Sequence, residues 1–342
     1  MNHNITIGWT GPISFKKYGG LIYGEQSRKA LSKSFDLDFI NVEGKYFKNK
    51  YLKAIESLLY LSKLKGKKDV WIRDFFSTLT MPIDKTRGKN VAIVHHVGFS
   101  NLPLILRFPY FILEKIYYHN LNKMNAIVVI SEYWKNYFLE RGYRNVYKIY
   151  CRFDLNDFNI SGEEVADFKK KNNLDGKPII YLGNCQRSKG VVESCNALKD
   201  LNVYLVTSGR RQVNVPAVNF NDSYREYLKL LKASSVAVTM SKIKEGWSMT
   251  THEAMLCKTP VIGSGLGGMR ELLEGGEQII CEDFTDLKEK VEYLLKNPEE
   301  RKKMGEQGYD YAKDFTVERF EQSWVETIDL LTKDFPNETF NQ

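Results

Sequence analysis

The chain has 342 residues, 43% of them apolar and 27% charged, a globular composition too long for one ordinary core, so two domains are expected. Five cysteines without a Cys-x-x-Cys pair argue against a disulfide framework and a zinc site, and for a reducing compartment. The net charge of +8 is unevenly divided: residues 1–160 hold 25 Lys/Arg and 13 Asp/Glu (+12), residues 161–342 hold 25 and 29 (−4), so the first half is expected to meet something anionic.

In chain order, Asn4–Gly8 reads as a short strand ending at Gly11 and Pro12. Leu21–Ser34 reads as a helix and Asp36–Val42 as a strand. Val70–Ile72 and Val91–Val94 are apolar runs of the length of buried parallel strands. Leu104–Leu121 is aromatic-rich and expected to be helical after Pro109. Ala126–Ile130 is a strand, Ser131 caps a helix over Glu132–Glu140, and Asn145–Ile149 is a further strand. Residues 152–162 read as a linker.

The second half repeats the style. Pro178–Leu182, Val203–Thr207, Val236–Met240, Pro260–Ile262 and Gln278–Cys281 read as strands. Tyr224–Ala233, Leu287–Leu295, Glu299–Lys313 and Val317–Leu331 read as helices, and the polar tail after Lys333 as disordered. Strand–helix alternation in both halves predicts two doubly wound parallel sheets, with ligands at the carboxyl ends of the strands and a cleft between domains as the default site. The N-terminus shows no signal-peptide pattern, and no apolar run is long enough to span a membrane.

Lysines crowd Lys45 to Lys68, where Leu52, Ile55, Leu58, Leu59 and Leu61 fall on one broad helical stripe. The stripe fits an interfacial helix on anionic lipid or an ordinary helix packing on a sheet with solvated lysines; the ordinary helix is the expectation. Residues 99–118 fit a core helix and a surface for a lipid-linked acceptor equally well.

The densest functional signal is Glu245 to Glu271, EGWSMTTHEAMLCKTPVIGSGLGGMRE. A loop carboxylate, a helix start, a second carboxylate in that helix, a buried strand and a glycine turn suit a ligand carrying phosphate and sugar hydroxyls. Ahead of it come Gly19-Gly20, His95-His96, Ser131-Glu132, Phe153-Asp154 and Gly183 followed by Lys189-Gly190. In this order and spacing the chain resembles a retaining glycosyltransferase of the family 4 type, over about residues 5–331. The resemblance implies the GT-B fold: two Rossmann-like domains facing across a cleft, with a C-terminal helix returning to the first. The expected division is 1–160 for the acceptor, 161–315 for the nucleotide-sugar donor, 316–332 for the returning helix and 333–342 as tail.

The resemblance implies roles. Lys189 and Arg187 would clamp the donor diphosphate, Arg187 standing in for an arginine that the family carries where this chain has Asn184. Gly246, Trp247, Ser248, Met249 and Thr250 would turn into a helix whose free amides face the pyrophosphate, with Thr250 or Thr251 as cap. Glu245 would accept from donor-sugar hydroxyls and Glu253 from the ribose diol. His95, or the adjacent His96, would contact the donor sugar, and Gly19 and Gly20 would form a loop that lets the backbone approach the ligand. Configuration would be retained by the departing phosphate taking the acceptor proton. No Asp-x-Asp occupies a convincing loop, so no cofactor and no essential metal are expected. The expected partners are a nucleotide sugar, a glycan or lipid-linked acceptor and an anionic membrane surface, with no nucleic acid, in the cytoplasm or on the inner face of the membrane.

Competing patterns are weaker. Gly263, Gly265 and Gly268, with Asp283 beyond, match a dinucleotide fingerprint, but late in the second domain rather than after its first strand. Lys189-Gly190 reverses the order a nucleotide-hydrolase phosphate loop needs. Glu245 and Glu253 as a glycosidase pair would leave the phosphate features idle. An epimerase of the same fold and a non-catalytic scaffold remain open, the latter because of Asn184 and because Ser248 replaces a commoner glycine.

Overall fold

The structure, a computed structural model, describes residues 5–11, 19–97 and 104–333. Asn4, Pro12, the 99–103 portion of the aromatic segment and the tail beyond Lys333 lie outside the described residues. The chain divides into two compact units: one takes the residues up to Ile130, Trp134–Arg152 and the segment from Val317, the other Ser131–Tyr133 and Phe153–Thr316.

Unit 1 is built from β1 (Thr6–Gly11), α1 (Gly19–Leu31), β2 (Asp36–Asn41), α2 (Lys50–Ser62), β3 (Lys65–Arg73), α3 (Phe75–Thr80), β4 (Lys85–Val94), α4 (Leu104–Leu121), β5 (Ala126–Val129), α5 (Glu132–Leu139) and β6 (Val146–Lys148). Its six strands are parallel in the order β2-β1-β3-β4-β5-β6. Chain order reverses at β1, so right-handed crossovers put α1 on one face and α2, α3 and α4 together on the other. The contacts agree, for α3 touches both α2 and α4. Phe75 of α3 lies 4.7 Å from the Tyr117 ring of α4, and the buried Asn120 amide donates to the carbonyls of Thr78 and Leu79 at 3.0 and 3.2 Å. α3 was not legible in the sequence: it spans six residues, too short for periodicity. It is fixed by a capping box in which Asp74 and Ser77 bond each other's backbone amides.

The expectation that α2 is a core-facing helix fails in part. Leu61 is buried with Val42, Leu64 and Trp71, but Leu52, Ile55 and Leu59 are exposed. The apolar arc is wider than the side of α2 that meets the sheet and α3, and the surplus faces outward. α4 begins at Leu104, ahead of Pro109 rather than after it.

One buried charge ties β3 to β4 and α3. Arg73 is fully buried; it donates to Asp84 Oδ2 at 2.7 Å, Asn90 Oδ1 at 2.6 Å, Thr86 Oγ1 at 2.6 Å and the Ser77 carbonyl at 3.0 Å. A guanidinium out of water needs this many acceptors to offset its lost hydration.

Unit 2 contains α6 (Gly162–Lys171), β7 (Ile179–Asn184), α7 (Val191–Leu198), β8 (Tyr204–Ser208), β9 (Val218–Phe220), α8 (Tyr224–Ala233), β10 (Val236–Thr239), α9 (Met249–Leu256), β11 (Val261–Gly263), α10 (Met269–Gly275), β12 (Ile279–Ile280), α11 (Leu287–Lys296) and α12 (Pro298–Ala312). Its strands are also all parallel, in the order β12-β11-β10-β7-β8-β9. A fully buried cluster including Ile180, Leu182, Val236, Val238 and Ile262 fills the space between sheet and helices. β9, α6, α7 and α10 are additions to the sequence reading. α6 opens with a capping box between Ser161 and Glu164, whose carboxylate also receives Arg225 at 2.8 Å.

The last helix, α13 (Val317–Thr332), belongs to unit 1 and packs on α1. Phe320 meets Tyr23 edge-on at 5.5 Å, and the fully buried Trp324 ring lies 6.1 Å from that of Trp9. Among the described residues no helix is long and apolar enough to cross a membrane, and the five cysteines are free and buried.

Candidate active site

The Glu245–Glu271 signal lies at the carboxyl ends of β10 and β11, and the carboxyl end of the neighbouring β7 carries Arg187–Gly190. After β7, Arg187–Lys189 form one tight turn that ends at Gly190 with φ 70°. A Cβ there would stand 2.0 Å from the Met240 carbonyl oxygen, so only glycine allows this turn to lie against the end of β10. The approach brings Lys189 Nζ to 2.6 Å from Glu245 Oε1, with 29% and 11% of the two side chains exposed.

Glu245 is held by its backbone as well. Its N–H donates to the Leu266 carbonyl at 3.1 Å, and its own carbonyl accepts from Gly268 at 2.9 Å. This joins the loop after β10 to the glycine loop after β11 through a one-residue bridge between Glu245 and Gly267. Gly263, Gly265 and Gly268, the dinucleotide look-alike, therefore belong to the segment from β11 to α10 that supports Glu245.

The chain then enters α9. Trp247 is buried, and its indole N–H donates to His252 Nδ1 at 3.0 Å. His252 Nε2 lies 3.0 Å from the Ala312 carbonyl, so the ring carries its proton on Nε2; burial pushes its pKa down to about 3. Trp247 thus faces the core and offers only its backbone to a ligand. The cap of α9 is Ser248 rather than Thr250 or Thr251. It adopts φ 71°, which is why glycine is the commoner residue there, and its hydroxyl meets Thr251 Oγ1 at 2.8 Å instead of capping. Thr251 turns inward to Thr239 at 3.1 Å. The first amides of α9, around Met249 and Thr250, have no side-chain cap from Ser248.

Inside α9, Glu253 is only 6% exposed, unlike a surface charge. Tyr224 donates to Oε1 at 3.0 Å and Tyr227 to Oε2 at 2.8 Å. Burial pushes the carboxyl up to about 7, against the lowering effect of both phenols. Sequence reasoning missed the two tyrosines. Their signal is an i, i+3 pair at the start of α8, visible only once α8 is known to lie beside α9.

Asn184 ends β7 inside a polar chain, accepting from Ser208 Oγ at 3.0 Å, with Tyr181 2.7 Å from the same hydroxyl. Arg187 is exposed, and its charge helps hold the Glu193 carboxyl below the usual range, after the nearer contribution of Lys242. Beyond the glycine loop, a cavity of about 510 Å³ is lined by Lys242, Arg270 and Glu282, but its cations are already paired, Lys242 with Glu193 at 2.6 Å and Arg270 with Glu282 at 2.8 Å.

In unit 1, Gly19 and Gly20 form the first turn of α1 rather than a loop. His95 follows β4 and turns inward, its ring edge-on to Tyr23 at 5.3 Å, while His96 is exposed. Its buried Nδ1 has no hydrogen-bond partner among the described residues; burial, then His96, pushes its pKa down to about 4. Lys189, Glu245, Gly246 and the start of α9 are thus gathered on one edge of unit 2, whereas Gly19, Gly20 and His95 stand at the carboxyl ends of β1 and β4 of unit 1. Among the described residues no group of three or more His, Cys, Asp or Glu could hold a metal ion.

A cation next to uncapped helix amides suits a diphosphate, and carboxylates suit hydroxyls. Two all-parallel sheets with flanking helices, in this order, make the chain an α/β protein of the GT-B fold. Its structure is similar to sucrose-phosphate synthase from Thermosynechococcus elongatus (TM-score 0.77, 17% identity, 96% of this chain and 99% of that one). It is also similar to Anabaena HepE in complex with UDP-glucose (TM-score 0.73, 15% identity, 95% and 100%). Residues 163–311, nearly all of unit 2, match the family Glycosyl transferases group 1. An uncharacterized glycosyltransferase of Methanocaldococcus jannaschii is 28% identical in an alignment 228 residues long that covers 58% of this chain and 64% of that protein.

Proposed function

We propose that the chain is a retaining glycosyltransferase that moves a hexose from a UDP- or GDP-sugar to a glycan or lipid-linked acceptor, in the assembly of a cell-surface polysaccharide or glycolipid, at the cytoplasmic face of a membrane. The observation that carries this reading is the 2.6 Å Lys189–Glu245 pair beside the uncapped start of α9. Lys189 and the α9 amides offset the charge that grows on the diphosphate as the bond between C1 and the phosphate oxygen breaks. Glu245 orients the sugar through its hydroxyls, and Glu253 receives the ribose. The acceptor oxygen bonds to C1 on the same face, and its proton passes to the departing phosphate, so atoms and charge balance without a protein nucleophile. The resemblance assigns His95 to the donor sugar. The UDP-glucose complex of the Anabaena protein supports UDP among the possible donor bases.

Calorimetry with UDP- and GDP-sugars, followed by acceptor-free hydrolysis, tests the proposal. One sugar is expected to bind. Lys189→Ala is expected to weaken it about 10- to 100-fold, the loss of a charge-assisted contact. Glu245→Ala is expected to abolish release of the nucleoside diphosphate. Failure of every sugar to bind would favour a non-catalytic scaffold, the reading to which Asn184, tied into its own polar chain, lends support.

A further inference from the structure

Exposed apolar side chains are not spread evenly over the protein. Of the nineteen large ones exposed among the described residues, eleven lie on α2, on the two residues Tyr46 and Phe47 leading into it, or on α4. In unit 2 the exposed ones (Leu155, Val218, Tyr224, Leu266, Tyr293) are scattered singly, which is ordinary for a surface. On α4, Phe108, Phe111, Ile112 and Ile116 recur at helical spacing and form its outer stripe, opposite the buried Tyr117, Asn120 and Leu121. Phe108 is 72% exposed; on α2, Ile55 and Leu59 are 53% and 59% exposed. Both helices pack on α3 and lie on one face of the sheet. Helices of a parallel sheet run against the strands, so the starts of α2 and α4 both lie at the carboxyl edge of unit 1.

The charge around this face is mainly positive, although Glu43 pairs with Lys53 at 3.6 Å and α4 carries Glu114. From Lys45 to Lys68 there are eight lysines and one acid, Glu56. That carboxylate is turned onto the backbone amides of Lys45 and Tyr46, at 2.6 and 3.1 Å. On α4, Lys115 lies over the Phe111 ring at 4.5 Å. Apolar side chains interleaved with lysines match a bilayer with anionic headgroups: the rings and branched chains enter the acyl boundary while the lysines meet phosphate. A second copy of the chain would bring the same lysines against each other and repel.

We propose that the α2–α3–α4 face of unit 1 docks on an anionic lipid bilayer. This holds whether or not unit 2 binds a nucleotide sugar.

The test is flotation of the full chain with vesicles of phosphatidylcholine alone or mixed with phosphatidylglycerol, at low and high salt. The protein is expected to float with the mixed vesicles and to be partly released by salt. Ile55→Glu with Leu59→Glu, and separately Phe108→Ser with Ile112→Ser, are expected to weaken flotation at least tenfold. Both pairs change exposed positions, and thermal melting checks that the variants stay folded. Lys45→Glu and Lys48→Glu are each expected to weaken it about fivefold and to flatten the salt dependence. No flotation at either salt would overturn the proposal. So would equal binding to phosphatidylcholine alone, or a concentration-dependent dimer in sedimentation that Ile55→Glu with Leu59→Glu dissolves.

Discussion

Glu253 is a buried carboxyl whose hydrogen bonds come from two phenols, and its chemistry is therefore a balance. Hydrogen bonds from Tyr224 and Tyr227 favour the anion; burial favours the acid and prevails, setting the pKa at about 7. In the unfolded chain the group titrates near the ordinary glutamate value, about 4.3. The folded protein thus holds one extra proton between these limits. The resulting stability is fully present below the lower value and is lost as pH rises through about 7. Glu253→Gln is expected to remove that loss and to stabilise the protein at pH 8 by up to about 3 kcal/mol relative to wild type, in urea unfolding at pH 5 and pH 8. Should Glu253 bind the ribose, the same variant would lose donor affinity while gaining stability, a split that a purely structural residue would not show.

Lys189 and Glu245 were each legible as candidates because each sits next to a glycine in a loop that follows an apolar strand; that they pair with each other was not. Tyr224 and Tyr227 were not, because they reach Glu253 from a neighbouring helix and no local pattern announces a contact across 26 or 29 positions.

Among the elements, the turn between β7 and α7 shows how a single backbone atom places a side chain. Gly190→Ala would press Cβ against the Met240 carbonyl at 2.0 Å in a left-handed conformation. Strain and clash together are expected to cost about 2–4 kcal/mol and to pull Lys189 from Glu245. Thermal melting reads the first effect, and nucleotide-sugar calorimetry the second. The long apolar runs Val91–Val94, Ala126–Ile130 and Val236–Met240 were legible as buried parallel strands because both faces of such strands are covered. α3 and β9 were not: six and three residues carry no period, and each is fixed by partners distant in sequence. α2 was half legible. Its pattern gave the helix, but which part of a wide apolar arc meets the sheet depends on the helices beside it.

At the scale of the molecule, unit 1 is discontinuous, and its last piece belongs to its core. Trp324 is fully buried beside Trp9 and Tyr23, so Trp324→Ala is expected to cost about 3–5 kcal/mol in chemical denaturation, a loss typical of the body of a domain rather than of an appendage. A change below 1 kcal/mol would mean that α13 is dispensable to unit 1.

This arrangement also sets the order in which the protein can be finished on the ribosome. Residues up to 152 emerge first, yet the helix that covers Trp9 and Tyr23 follows only after residues 153–316 have been made. At translation speeds of about 5–20 residues per second, that interval lasts roughly 8–30 s. Throughout that time the half made first waits with an apolar surface uncovered, whereas the half made second, which apart from residues 131–133 is continuous from residue 153 to residue 316, can close as soon as its own chain is out.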